Sequence, residues 1–372
     1  MTWRQAIAKS ALLATVKDAK ESCGIDQLCA GLESGIEGGI HAMQHVWDAH
    51  RQEEEWGFLL IDARNAFNEQ NQMAMLWTVR HEWPSGARFV FNCYRHWGTL
   101  MIRGNNGTGV FLYSKEGVTQ GDPISMFIYG IGLLPLIRQL KAEFPTVQQP
   151  WYADDAGAGG KFDAIRHHFE RLQEIGPNFG YYPESSKSIL IVPQHNYESA
   201  LEYFQDLSFT VTTGSRYLGG FIGEDAPLRE WLRSKTEDWE AAISELASVC
   251  QKYPQSAYSG LQKLLQQEWQ FVQRVVKNVG HEFEGVERAL AQVSLPALFD
   301  DNYDDAMDPR RCLAALPVKF AGLAIPNPTA SAATNYDASI LVCSHLLAPF
   351  RGVDEFRTAD HLAVIREVKT EL

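Results

Sequence analysis

Positive charge is what this chain is short of. Lys and Arg number 33 against 46 Asp and Glu, a net charge of -13 at pH 7. Proteins that coat nucleic acid along a broad groove are ordinarily basic, which argues against a dedicated coat protein or transcription factor. Net charge says nothing about placement, so an enzyme with a locally basic channel stays open. Cysteine is scarce too. The six present form no CxxC pair, and Cys23 and Cys29 have no His nearby. This spacing argues against structural zinc and predicts buried free thiols in a reducing compartment. A long apolar run is missing as well. The longest, Met126 to Ile137, is too short to span a bilayer and contains Pro135. The first twenty residues carry dispersed basic residues and no apolar core, so no signal peptide is expected. These absences together predict an intracellular protein, cytoplasmic or nuclear and not secreted, with no membrane partner. The Asn106-Gly107-Thr108 sequon then reads as a turn.

What is present is a chain of 372 residues, long enough for two or three domains, with no fixed-period repeat. Residues 3–20 read as a helix, and "GLESGIEGGIHAMQHVWDAHRQ" as a second one weakened by glycine. "WGFLLIDA" is a continuous apolar run ending in an acid, the pattern of a buried central strand. Strands joined at Asn105-Asn106-Gly107 follow a helix end. Asp122 is placed as an N-cap with Pro123 at the first helical position. "PWYADDAGAGG" reads as a hairpin carrying adjacent acids, followed by a helix from Phe162 to Ile175, a short strand "KSILIV" and a hairpin "YLGGFIG". After Gly223 apolar residues recur at helical spacing, placing a domain boundary at Gly223–Leu228.

Adjacent Asp154 and Asp155 repel unless water or a cation lies between them. Asp62 ends a different strand. If the two strands are neighbours, three carboxylates converge, a hard-oxygen set suited to Mg²⁺ or Mn²⁺ and thus to phosphoryl chemistry with two ions. The plainer alternative is three ordinary turn aspartates, and spacing alone does not choose between them.

The stretches "DARNAF", "EGVTQGDPIS", "YADD", "GYYPESSKS" and "YLGG" occur in that order. Together they resemble the successive palm motifs of reverse transcriptases, most closely those of non-LTR retrotransposons. The resemblance covers roughly residues 58–222 and extends less specifically to "QLCAGLESGIEGGIHAM". It implies an α+β right-hand polymerase: partial fingers (1–57), an antiparallel-sheet palm (58–222, with a fingers insertion about 68–115), and a helical thumb with a C-terminal extension (223–372). It implies that Asp62, Asp154 and Asp155 hold two Mg²⁺ ions, with Mn²⁺ a substitute and the Ala63 carbonyl an added ligand. Phe67 would lie beneath the sugar of the incoming nucleotide and exclude a 2′-hydroxyl, its plainer role being a core aromatic. Gln120 and Gly121 would flank the nascent base pair. Lys187 would neutralise or protonate the leaving pyrophosphate, unless it is simply a solvated lysine. Tyr217, Leu218 and Gly219 would hold the primer end, or form an ordinary apolar hairpin. The small residues after the acid pair would leave room for that end.

The implied activity is RNA-directed DNA synthesis, with an RNA or DNA template, a primer and dNTPs as partners. Basic residues of the thumb, among them Arg229, Arg233, Lys252 and Lys263, would track duplex phosphates or form a solvated face. The fingers strand motif that contacts the triphosphate has no counterpart before Thr2, so an N-terminally truncated domain is expected. Two alternatives stand: an inactive nucleic-acid-binding remnant, and an RNA-dependent RNA polymerase, against which Phe67 speaks. His167 and His168 have no evident catalytic partner. Read as a calcium loop from Asp300, "DDNYDDAMDPRR" lacks the required glycine and has Arg311 in place of the bidentate acid, so it is expected to be a solvated loop.

Overall fold

The run Trp56–Ile61 forms strand β1, buried along almost its whole length. The computed structural model describes residues 3–104, 107, 109–299, 309–351 and 356–371. The Asn105–Gly107 turn and the Asn106–Thr108 sequon fall outside the described residues except for Gly107, as does the acidic stretch from Asp300 up to Pro309.

The chain divides into two compact units, Met1–Leu218 with Cys343–Leu372, and Gly219–Val342. In the first, helices α1 (Trp3–Cys23) and α2 (Gly35–His50) precede β1. A short α3 (Ala66–Glu69), α4 (Gln72–Glu82) and α5 (Pro84–Tyr94) follow it, and then a solvent-exposed ribbon, β2 (Gly98–Arg103) and β3 (Gly109–Ser114). Helix α6 (Ser125–Glu143) is buried nearly all round, as expected for a helix apolar on every face. Strands β4 (Trp151–Tyr152) and β5 (Asp155–Lys161), helix α7 (Phe162–Ile175), β6 (Ile189–Ile191), α8 (Tyr197–Tyr203), β7 (Thr210–Thr212) and β8 (Gly214–Tyr217) complete this stretch. The main sheet has the order β4-β5-β1-β6-β7. β1 is antiparallel to β5, from Trp56 opposite Lys161 to Ile61 opposite Ala156, and antiparallel to β6, while β6 and β7 run parallel. The helix read at Phe162 to Ile175 has those bounds in the structure.

Helix α6 begins later than expected. Ile124 occupies its cap position with no side-chain cap. Asp122 is engaged elsewhere: Arg4 Nε donates to its Oδ2 at 2.8 Å, and the Ile124 N–H donates to its Oδ1 at 3.2 Å. The carboxylate thus closes a local turn and an ion pair, rather than capping the helix.

The second unit opens with β9 (Gly220–Gly223) and is otherwise helical: α9 (Asp225–Cys250), α10 (Pro254–Gly260), α11 (Gln266–Val275), α12 (Glu284–Ala289), α13 (Leu295–Phe299), α14 (Pro309–Ala315) and α15 (Pro328–Leu347), whose last residues belong to the first unit. Its core is aromatic, with Trp239 stacked on Phe283 (centroids 5.9 Å apart) and edge-on to Trp269. Arg311 is a correction to the solvated loop. It is buried on α14, bidentate to Glu287 at 2.7 and 2.6 Å, and donates to the Ile325 carbonyl. A buried guanidinium needs this full set of partners.

The chain ends with α16 (Thr358–Glu371). Here the first unit is completed: Leu346 is fully buried with Leu28 and Leu32, and His361 Nε2 lies 2.8 Å from the Glu33 carbonyl. All six cysteines are free thiols, and only Cys312 is exposed. No described helix is long and apolar enough to cross a membrane.

Candidate active site

Asp62 stands one residue past the Ile61–Ala156 pair. Tyr152 pairs with Asp155 across a two-residue turn, Ala153-Asp154. The antiparallel register therefore brings Asp62 level with the acid pair, at one end of the sheet. The backbone past β1 is held by the segment before β6: the Glu184 N–H donates to the Asp62 carbonyl (2.8 Å), and the Arg64 N–H to the Tyr182 carbonyl (2.9 Å). Ala63 bridges Pro183. The Asp62 N–H donates to Ser188 Oγ at 3.3 Å. Beneath the turn, the buried Tyr181 hydroxyl donates to the Asp154 carbonyl at 2.9 Å.

The three carboxylates feel one another. Asp155, although partly open to solvent, is pushed up to about 6, first by partial burial, then by Asp154 and Asp62. Asp154 is raised by burial and by Asp62. Burial raises Asp62 and Glu184 adds to this, while Lys187 opposes it. Lys187 Nζ lies 4.0 Å from Asp62 and is paired closely to Glu184, so the lysine named from the motif does stand beside the acids. The donors are all oxygen and carry excess negative charge, which fits a hard divalent cation. Among the described residues, no three His, Cys, Asp or Glu side chains are already arranged to hold an ion.

Phe67 is half-buried and stacked on Tyr129 of α6, with centroids 4.3 Å apart and planes 15° from parallel. The Val118 N–H donates to its carbonyl at 2.7 Å, tying this segment to the loop before α6. Gln120 and Gly121 are exposed on that loop, with Gly121 at φ +79°, a conformation glycine adopts without strain. Gln5 Nε2 donates to the Gly121 carbonyl. Tyr217 is buried, edge-on to Phe58 at 5.6 Å, so it presents no ring to the surface; Leu218 and Gly219 follow it at positive φ.

The small residues after the acids do not leave room for a primer end. β5 is buried, and a Cβ on Gly157 would come within 2.7 Å of the Phe58 ring and 2.8 Å of Pro150. The space is already filled by this protein's own side chains. Tyr181, Glu184 and Ser188 are site residues that the motif reading quoted but did not single out. Arg4, paired with Asp122 beside the Gln120–Gly121 loop, had no local signal because its partner lies on a distant loop.

The family model described as "Reverse transcriptase (RNA-dependent DNA polymerase)" matches residues 3–219, more than half of the chain. The chain belongs to this family. Among solved structures, it is similar to telomerase from Candida tropicalis in complex with the TWJ fragment of telomeric RNA (11% identity, TM-score 0.50, covering 98% of this chain and 56% of that one). It is also similar to apo telomerase from Candida tropicalis (10%, TM-score 0.48, 97% and 60%) and to telomerase from Candida albicans in complex with a TWJ fragment (9%, TM-score 0.47, 98% and 56%). The chain spans less than two thirds of the length of these telomerases. At such identities the likeness concerns the fold, which is that of a right-hand polymerase. No curated protein matches the chain.

Proposed function

We propose that this chain is the polymerase domain of a reverse transcriptase of the non-LTR retrotransposon type, adding dNTPs to a primer 3′-hydroxyl on an RNA or DNA template. The observation that carries this is the sheet register, which sets Asp62 level with the Asp154–Asp155 turn within a chain of this family. The division into partial fingers, palm and thumb follows the same reading, with residues 1–57, 58–222 (including a fingers insertion about 68–115) and 223–372 (helical thumb and C-terminal extension) in those roles. An intracellular site of action, cytoplasmic or nuclear, agrees with an RNA template.

Asp62, Asp154 and Asp155 would hold the divalent cations, with the Ala63 carbonyl adjacent. Bound Mg²⁺ or Mn²⁺ supplies Lewis acidity to the attacking hydroxyl and to the leaving pyrophosphate oxygen. Lys187, paired with Glu184 beside Asp62, would neutralise the pyrophosphate. Gln120 and Gly121 border the nascent base pair, and the backbone of Leu218 and Gly219 meets the primer end. Phe67, backed by Tyr129, bars a 2′-hydroxyl.

The test is primer extension by the full chain on an RNA template with Mg²⁺. Deoxynucleotide incorporation is expected, with a loss of at least about 100-fold in Asp154→Asn. Ribonucleotide incorporation would point to an RNA polymerase. Template binding without extension would point to an inactive remnant.

A further inference from the structure

The acid pair hangs on a turn that its own sequence does not favour. Ala153 sits at φ +53°, in the left-handed region that a Cβ disfavours. Such a residue persists only where its surroundings impose the conformation. Ala153 is also buried, so its N–H and C=O need partners that a two-residue turn does not supply. One side chain supplies both. The Ala153 N–H donates to Gln27 Oε1 at 2.7 Å, and Gln27 Nε2 donates to the Ala153 carbonyl at 3.1 Å.

Gln27 lies in the loop between α1 and α2, 126 residues away in sequence, and has no exposed surface. A primary amide offers a donor and an acceptor in one plane, which suits it to grip the N–H and the C=O of one residue. Its stem is wedged against α6, where a Cβ on Gly130 would come within 2.7 Å of Gln27 Cγ and 2.9 Å of Cys29 Sγ. The next residue extends the grip, since the Leu28 N–H donates to the Trp151 carbonyl at 2.9 Å. Residues 151 and 153, which lead into the acids, are thus bonded to one short, immobilised segment.

We propose that Gln27 is a positioning residue for the acid pair, its amide fixing the turn from which Asp154 and Asp155 project. Without it, Ala153 relaxes toward negative φ, and the peptide carrying Asp154 rotates away from Asp62. This rests on the metal-holding role proposed above for those acids. A residue that merely supports the fold would alter stability; one that sets the turn alters cation affinity in a folded protein. It is also relieved by a glycine at position 153, which takes positive φ freely.

The experiment measures Mn²⁺ binding to the full chain by electron paramagnetic resonance, alongside thermal unfolding and primer extension. Gln27→Met keeps the volume and removes both hydrogen bonds. The expected result is a folded variant with Mn²⁺ affinity and extension rate each reduced at least about 10-fold, and most of both restored in Gln27→Met/Ala153→Gly. A folded Gln27→Met variant with wild-type Mn²⁺ affinity overturns the proposal, as does a loss that the glycine leaves unrelieved. Should Gln27→Met fail to fold, Gly130→Ala displaces the same side chain from α6, and wild-type Mn²⁺ affinity there overturns it equally. A wild-type chain that binds Mn²⁺ but extends no primer sinks the polymerase reading alone, because the affinity comparison still decides the role of Gln27. A wild-type chain that binds no Mn²⁺ sinks both.

Discussion

Phe67 is held from two sides, by the face of Tyr129 and by the backbone bond from Val118 to its own carbonyl. Tyr129 backs one face of the ring and the backbone bond fixes the segment that carries it, which would let the ring's size select on the proposed reading. Phe67→Ala is expected to narrow the preference for deoxynucleotides over ribonucleotides by about 10-fold or more, read as the ratio of kcat/KM for dNTP and rNTP. An unchanged ratio in an active variant would remove the ring from that role. At this scale the sequence was most legible in where it places the acids of its motifs. Asp62, Asp154, Asp155 and Lys187 are brought to one end of the sheet as their order implied. It was least legible where a side chain serves backbone far along the chain. Gln27 and Arg4 look like any polar residues near a helix end. Their partners, Ala153 and Asp122, are more than a hundred positions away and leave no local periodicity to detect.

Helix α7 shows what a clear amphipathic pattern delivers and what it hides. Its bounds follow from the spacing of Phe162, Ile165, Phe169 and Leu172, yet the same buried face carries His168, edge-on to Phe144. Neither ring nitrogen has a hydrogen-bond partner among the described residues. Burial pushes the imidazole down to about 4. The unfolded chain therefore takes up this proton first as pH falls. The contribution to stability is fully present above about pH 6.5 and is lost towards pH 4, by roughly 3 kcal/mol. His168→Phe is expected to be at least as stable at pH 7 and to show a shallower fall in melting temperature between pH 7 and 5; equal slopes would contradict this. Strand β5 and helix α6 mark the limits of local reading. A glycine run signals space without saying what fills it, and in β5 it is the ring of Phe58. An Asp-Pro pair signals a cap, but the carboxylate went to Arg4.

The two units have different relations to the order of the chain. Gly219–Val342 is continuous, whereas the first unit is assembled from Met1–Leu218 and Cys343–Leu372. The return is built into the core. Leu346 has no exposed surface, and a Cβ on Gly38 would lie 2.8 Å from it. Leu346→Ala is expected to destabilise the first unit by about 3 kcal/mol and lower its melting temperature by on the order of 10 °C. Differential scanning calorimetry of the full chain would resolve this, and a first-unit transition at the wild-type temperature would show that the contact contributes little. Fold class was readable at this scale, because five motifs in order specify a palm. The return of the C-terminus was not, since Leu346 and the residues it is buried with, Leu28 and Leu32, share no local pattern.

That return has a consequence for how the molecule is made. Synthesis proceeds from the N-terminus, and domains tend to fold as their residues emerge. The segment carrying Asp62 and the acid pair leaves the ribosome early, but Leu28, next to Gln27, waits for Leu346 to cover it. The middle unit, encoded without interruption, is free to fold first. On this order the segment holding the acids is translated well before the helix that covers Leu28, so its packing is completed only once Leu346 has been made.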